Sequence, residues 1–253
     1  MTHRFFIPPK WITPPAVHLH GQTARQIKTV LRMKPGDKVI VLDNSGMEFV
    51  VTLTGIDKDV VEGQIVNRQP ARGEPNLQLT LYQGTLKGHK FEWVLQKGTE
   101  LGVSCFVPTI CQRSVVNKID TLTKKYPRWQ QIIHEAAEQS RRGKLPSLEQ
   151  PLTLADAIQH AQSFPLILMP WEEAAEPTLK EILTEKKVNT AAVFIGPEGG
   201  FTKEEVTMAQ EVGGQIVKLG PRILRAETAG LAVCAAILYE MDEWSLSIKN
   251  MVI

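Results

Sequence analysis

The sequence predicts an α/β protein with a mainly parallel sheet, preceded by a smaller β-rich domain. Three observations predict it. From residue 77 onward, short continuous apolar runs such as FPLILMP and TAAVFIG alternate with helical patterns, as strands buried on both faces of a parallel sheet require. Between residues 36 and 66, short alternating strands are broken by closely spaced turns, as in a small barrel. Between the two patterns lies NRQPARGEPN, residues 67–76, rich in Pro, Gly and charge. It reads as a linker and places a boundary near residue 73, giving domains 1–73 and 74–253.

Each element follows from its local pattern. TARQIKTVLRM sets Ala24, Ile27, Val30 and Leu31 at helical spacing. DKVIVLD runs into a turn at NSG, residues 44–46, and MEFVVTL then alternates with Phe49, Val51 and Leu53 on one face. DKD at 57–59 turns the chain into VVEGQIV. In the second domain LQLTLYQG (77–84) is a strand, and HKFEWVLQKGTELG (89–102) is a helix with Phe91, Val94, Leu95 and Leu101 on one face. Gly98 interrupts that helix at a cost of about 1 kcal/mol relative to Ala, for which close packing is the expected reason. SCFVPTI (104–110) is a strand, and YPRWQQIIHEAAEQSRR (126–142) carries a stripe of Trp129, Ile132, Ile133, Ala136, Ala137 and Ser140 up to a stop at Gly143. Thr153, with Asp156 three residues on, opens the short helix of TLADAIQHA. The strands FPLILMP (164–170), TAAVFIG (190–196) and QIVKL (215–219) come next. The helix TKEEVTMAQEV between the last two has a capping box of Thr202 and Glu205 and stops at Gly213-Gly214. ETAGLAVCAAILYEM (227–241) is the last helix.

Composition narrows the setting. Cys105, Cys111 and Cys234 form no C-x-x-C pair and are odd in number, which argues against a disulfide framework and for a reducing compartment. MTHRFFIPPKW has no apolar signal core, and LAVCAAILY (231–239) is far too short to span a bilayer, so a cytoplasmic protein without a membrane partner is expected. Charge is uneven: residues 87–144 carry eleven Lys/Arg against five Asp/Glu, and residues 145–253 carry eight against fifteen. A basic middle beside an acidic end suggests a face for a polyanion, with uneven surface decoration as the alternative.

Ligands of open α/β sheets bind beyond the C-terminal strand ends. Three strands here end in stiff Pro- and Gly-containing loops: LILMP runs into WEEA, AAVFIG into PEGGF, and QIVKLG into PRILRAE. Neither a G-x-G-x-x-G turn, a P-loop nor a G-x-S-x-G elbow is present. His18 and His20 alternate without an acidic or Cys partner at ligand spacing, so no metal is expected and polar contacts at a domain edge are the expected role.

FIGPEGGFTKEE followed by LGPRILRAETAGLAV resembles the signature of the RsmE family, ribosomal RNA uridine-N3 methyltransferases of the SPOUT superfamily. The resemblance extends to RFF at 4–6, VLRMKPGD at 30–37, QKGTELGV at 96–103 and EAAEQSRR at 135–142. It implies a C-terminal α/β-knot domain with a deep trefoil knot, an N-terminal PUA-like RNA-binding barrel and a homodimer. It also implies S-adenosylmethionine as cofactor, held by Leu168, Met169, Pro170, Ile195, Gly196, Gly199, Gly200, Leu219, Gly220 and Leu224. The implied substrate is 16S ribosomal RNA in the small ribosomal subunit, at the decoding-region residue uridine 1498. Arg225 would stabilise charge on the uridine oxygens and Glu227 would position the base or take its proton. The residue types also allow Arg225 to brace its loop or meet phosphate, and Glu227 merely to favour the helix dipole; Arg222 is read as a brace. Glu198 either contacts the ligand or faces solvent. Arg4, Arg32 and Lys34 would contact RNA phosphate. Arg141 and Arg142 would contact RNA or reach a partner subunit's site, unless they only form an ion-pair set with Glu138. Phe5 and Phe6 are expected to be buried. A related enzyme with another RNA target, or a non-catalytic RNA-binding assembly factor, are the competing readings.

Overall fold

A computed structural model describes residues 2–185 and 187–245. The chain forms two compact units: residues 1–74 with 134–145, and residues 75–133 with 146–253.

The first unit holds β1 (Arg4–Phe6), β2 (Ile12–Thr13), β3 (Ala16–His20), α1 (Gly21–Arg25), β4 (Lys38–Leu42), β5 (Met47–Ile56) and β6 (Val60–Pro70). The strands form one sheet in the order β1-β4-β5-β6-β3-β2, with β1 parallel to β4 and the other pairs antiparallel. Period-two alternation sends Phe49, Val51 and Leu53 inward against Val17, Leu19, Val39, Val41 and Val61. Phe5 and Phe6 are buried. After α1 the helix widens into a π-helical turn over Gln26–Val30, closed by Leu31 N–H donating to the Gln26 carbonyl at 2.9 Å. That widening breaks the 3.6-residue register, so Ile27 stays buried while Val30, expected inward, is 71% exposed. The expected linker is shorter than its composition suggested. β6 continues through Pro70, which pairs with Met47 at the sheet end, where a missing N–H is tolerated.

The second unit contains β7 (Gln78–Gly84), α2 (Lys90–Leu101), β8 (Cys105–Ile110), α3 (Ile119–Thr123) and the part of α4 (Tyr126–Gln139) up to Ile133. It continues with β9 (Ser147–Leu148), β10 (Leu152–Thr153), α5 (Leu154–Ala161), β11 (Ile167–Pro170) and α6 (Leu179–Glu185). It ends with β12 (Thr190–Ile195), α7 (Lys203–Glu211), β13 (Gln215–Val217) and α8 (Ala226–Glu240). Helix α4 is divided between the units after Ile133. The sheet order is β10-β8-β7-β12-β11-β13, every pair is parallel, and β9 joins β8. Alternate residues serve opposite faces. Leu79, Leu81, Val193 and Ile195 pack with α2 and α8, whereas Tyr82, Ala192, Phe194 and Val107 pack with α5 and α7. Gly98 has its reason here: a Cβ would lie 2.7 Å from the buried Phe106 ring, so the helix reaches its packing distance only without a side chain. Both helix caps read from sequence form. Thr153 accepts from the Asp156 N–H, and Thr202 and Glu205 close a full capping box. Cys105, Cys111 and Cys234 are free thiols, and burial pushes the Cys234 thiol up to about 12. Among the described residues no helix is long and apolar enough to cross a membrane.

Candidate functional site

Three neighbouring strands, β12, β11 and β13, end on the same side of the sheet, and their exit loops surround a cavity of about 710 Å³ in the second unit. The first loop gives Pro170, Trp171 and Glu172; the second, Gly196 to Phe201; the third, Lys218 to Glu227 at the head of α8. This is the strand-end crevice where open parallel sheets bind ligands.

The Gly-rich loop folds tightly against itself. Gly196 approaches Gly200 so closely that a Cβ would sit 3.2 Å from its backbone. Gly200 has φ +68°, and a Cβ there would come within 2.7 Å of Glu172 Oε1. Glycine therefore supplies both the left-handed turn and the space between two of the loops. The loop is also held from behind. Arg113 Nη1 donates to the Gly199 carbonyl at 2.8 Å, and the buried Glu205 carboxylate accepts from Gln112 N–H at 2.7 Å and Thr202 N–H at 2.9 Å.

Charged groups gather on another side of the cavity. Lys90, at the start of α2, places Nζ 3.5 Å from both Glu198 Oε1 and Glu227 Oε1. Burial alone would raise the Glu198 carboxyl. The Lys87 N–H, its own N–H and the Lys90 ammonium outweigh that and hold it below the usual carboxylate range. Arg225 is the N-cap residue of α8; its carbonyl accepts from Thr228 and Ala229 at 2.8 Å, and its side chain is exposed. Glu227 Oε2 and Trp171 Nε1 are buried polar atoms without a hydrogen-bond partner, and both residues line the cavity. Such orphans on a cavity wall are the groups a bound polar molecule would satisfy.

Most of the expected ligand residues meet here: Pro170, Ile195, Gly196, Gly199, Gly200, Leu219, Gly220 and Leu224, with Arg225 and Glu227. Leu168 and Met169 do not. They lie inside β11, fully buried in the cores on the two sheet faces, because only the strand end reaches the loops. Lys90, far from the loop motifs along the chain, and Trp171, in the WEEA loop, join the site without a local sequence signal for it.

In the first unit, Arg32, Lys34 and Arg141 are exposed, Arg32 and Arg141 with φ of 52° and 64°. Arg4 and Arg142 correct the expectation of phosphate contacts. Arg4 Nη2 lies 2.8 Å from Glu48 Oε2, and both side chains are 8% exposed. Arg142 is 2% exposed and bonds Glu74 through Nε at 3.0 Å and Nη2 at 3.1 Å. Helix α4 ends at Gln139, and Glu138 Oε1 accepts the Phe6 N–H at 2.9 Å. His18 faces Glu62 at 4.0 Å and His20 packs edge-on to Trp11. Among the described residues no three His, Cys, Asp or Glu side chains cluster as a metal site.

The crevice and its fold define a class. Residues 73–238 match the model of the RNA methyltransferase domain, and residues 21–66 that of the RNA methyltransferase PUA domain. The chain is 34% identical over 234 residues to the ribosomal RNA small subunit methyltransferase E of Bacillus subtilis, covering 90% of this chain and 91% of that one. It is 33% identical over 241 residues to the Synechocystis protein of the same name, covering 94% and 77%. The structure of the Neisseria gonorrhoeae methyltransferase E bound to S-adenosyl methionine superposes with a TM-score of 0.82 at 31% identity, covering 94% and 98%. This chain belongs to the ribosomal RNA small subunit methyltransferase E family, the RsmE branch of the SPOUT RNA methyltransferases.

Proposed function

We propose that this protein transfers a methyl group from S-adenosylmethionine to N3 of a uridine in 16S ribosomal RNA, the decoding-region uridine 1498, within the small ribosomal subunit. The observation that carries this reading is the crevice in which the GPEGG and LGPRILRAE loops meet beyond three parallel strands. The residues present fit the cofactor. Gly196 and Gly200 leave a cradle that side chains would fill, Ile195, Leu219 and Leu224 give apolar walls, and Trp171 Nε1 is an unmet donor. The bound cofactor supplies an electrophilic methyl on its sulfonium.

The chain's own groups prepare the acceptor. Neutral uridine N3 is a poor nucleophile, and loss of its proton spreads negative charge onto O2 and O4. Arg225, the N-cap residue of α8, would balance that charge as it develops. Glu227, tethered through Oε1 to Lys90, keeps Oε2 to hold or receive the N3 proton. Arg32, Lys34 and Arg141 contact RNA phosphate from the PUA unit. The functional division is an RNA-binding domain at 1–73 and a methyltransferase domain at 74–253. The family resemblance supports a deep trefoil knot, a homodimer and a cytoplasmic setting.

The test compares Arg225→Ala and Glu227→Gln with the parent protein. Transfer to uridine should fall about 100-fold or more for Arg225→Ala, as for a lost oxyanion donor, with cofactor affinity by calorimetry unchanged. Parent-like turnover in both variants would remove these residues from the chemistry.

A further inference from the structure

We propose that the segment 112–128 of the second unit is the arm on which the catalytic unit seats the RNA backbone. The inference rests on the RNA-methyltransferase reading and deepens it. The segment carries Arg113, Lys118, Lys124, Lys125 and Arg128 against Asp120 as its one acidic residue. Lys118 and Lys124 are exposed and Lys125 is half-exposed. Among the described residues, none of the three ammonium groups forms an ion pair or hydrogen bond. Arg128 only approaches Glu92, at 3.7 Å, with its own side chain 64% exposed. Val115 and Ile119 are solvent-facing apolar side chains between the cations, suited to ribose and base faces.

The arm is bonded to the rim of the catalytic cavity at several points. Arg113 donates to the Gly199 carbonyl, and the Gln112 N–H to Glu205, which also fixes Thr202 at the end of the Gly-rich loop. The Val116 carbonyl accepts from Thr85 Oγ1, and two residues on, the Lys87 N–H donates to Glu198 on the cavity wall. Unpaired cations anchored to the rim of a uridine-methylating site match the phosphates flanking the target base. Acidic protein could also meet lysines, but the position beside the cavity favours the strand that enters it. This surface also replaces the phosphate contacts that Arg4 and Arg142, buried in ion pairs, do not offer.

The experiment uses the full-length protein and its K118A/K124A/K125A variant. Binding to small ribosomal subunits lacking the modification, and to a 16S RNA transcript, is measured from 50 to 200 mM salt. S-adenosylmethionine affinity and thermal stability are measured in parallel. The slope of log K against log salt should fall by about 2, at ~0.7 per lost single-strand phosphate contact. KM for the subunits should rise at least about tenfold, with turnover and cofactor affinity within about twofold. Unchanged RNA affinity and slope would overturn the proposal. Loss of cofactor binding or of thermal stability would show the arm to be a structural brace, and binding lost to subunits but not to the transcript would make the partner a protein; both overturn it. A parent protein that binds RNA but transfers no methyl would instead overturn the enzymatic reading.

Discussion

Removing Glu74 should unfold the first unit long before it affects RNA contacts. Its carboxylate accepts from Arg142 Nε and Nη2 and from the N–H groups of Gly143 at 2.8 Å and Lys144 at 3.0 Å. Glu74→Ala removes the carboxylate that Arg142 Nε and Nη2 donate to, where the guanidinium is 3% exposed at its side chain in a medium that solvates charge poorly. Breaking a buried pair from one side costs about 3–5 kcal/mol. At about 4–8 °C per kcal/mol for a unit of this size, that lowers its melting midpoint by on the order of 20 °C. Replacing both partners with apolar residues of similar volume, Glu74→Leu with Arg142→Met, should recover much of the loss, since no charge is stranded. The assay is thermal unfolding followed by circular dichroism, with the salt dependence of subunit binding measured beside it. An Arg142→Ala protein with parent-like melting and a reduced salt slope would overturn the structural role and return Arg142 to the RNA.

Three further outcomes are expected. Gly98→Ala should destabilise despite Ala's helix preference, because overpacking against Phe106 costs about 1–3 kcal/mol against a gain of about 1 kcal/mol; urea unfolding would show the sign. Burial raises the Glu138 carboxyl to about 7, opposed by the Phe6 N–H. Its stabilising contribution is present below the ordinary carboxylate value of 4.5 and is lost as pH rises through about 7, so the parent should lose up to about 3 kcal/mol relative to Glu138→Gln between those limits. His134, whose pKa burial lowers, acts in the opposite direction, and its Nδ1 lies 3.7 Å from Glu138 Oε1, so the comparison is made in a His134→Gln background to isolate Glu138. Arg113→Ala should weaken S-adenosylmethionine binding about tenfold in calorimetry, because a charge-assisted bond to the Gly199 carbonyl contributes about 1.5–3 kcal/mol, partly replaced by water.

The sequence was most legible where local chemistry and final structure agree. Thr202 and Glu205 announce a helix start because their bonds are made within one turn, and FPLILMP announces a covered strand because both its faces are apolar. The loops of the cavity were legible because Pro and Gly follow three strands in turn. The misreadings lie where a distant partner decides the role of a side chain. A basic side chain looks the same in sequence whether it meets solvent or a buried carboxylate, so Arg4 and Arg142 read as RNA contacts. Leu168 and Met169 share the apolar character of a binding wall, yet strand alternation turns them into the two cores. Lys90 joins Glu198 and Glu227 only once three separate elements meet. α3 and α6 are too short for periodicity to reveal.

The most direct test of the central claim is the identity of the methylated atom. Purified protein, labelled S-adenosylmethionine and small ribosomal subunits lacking the modification would be incubated together. The RNA would then be digested to nucleosides and analysed by mass spectrometry. Label is expected in 3-methyluridine from a single decoding-region site. Label in a ribose 2′-O-methyl group or in another base, with the cofactor bound normally, would contradict it.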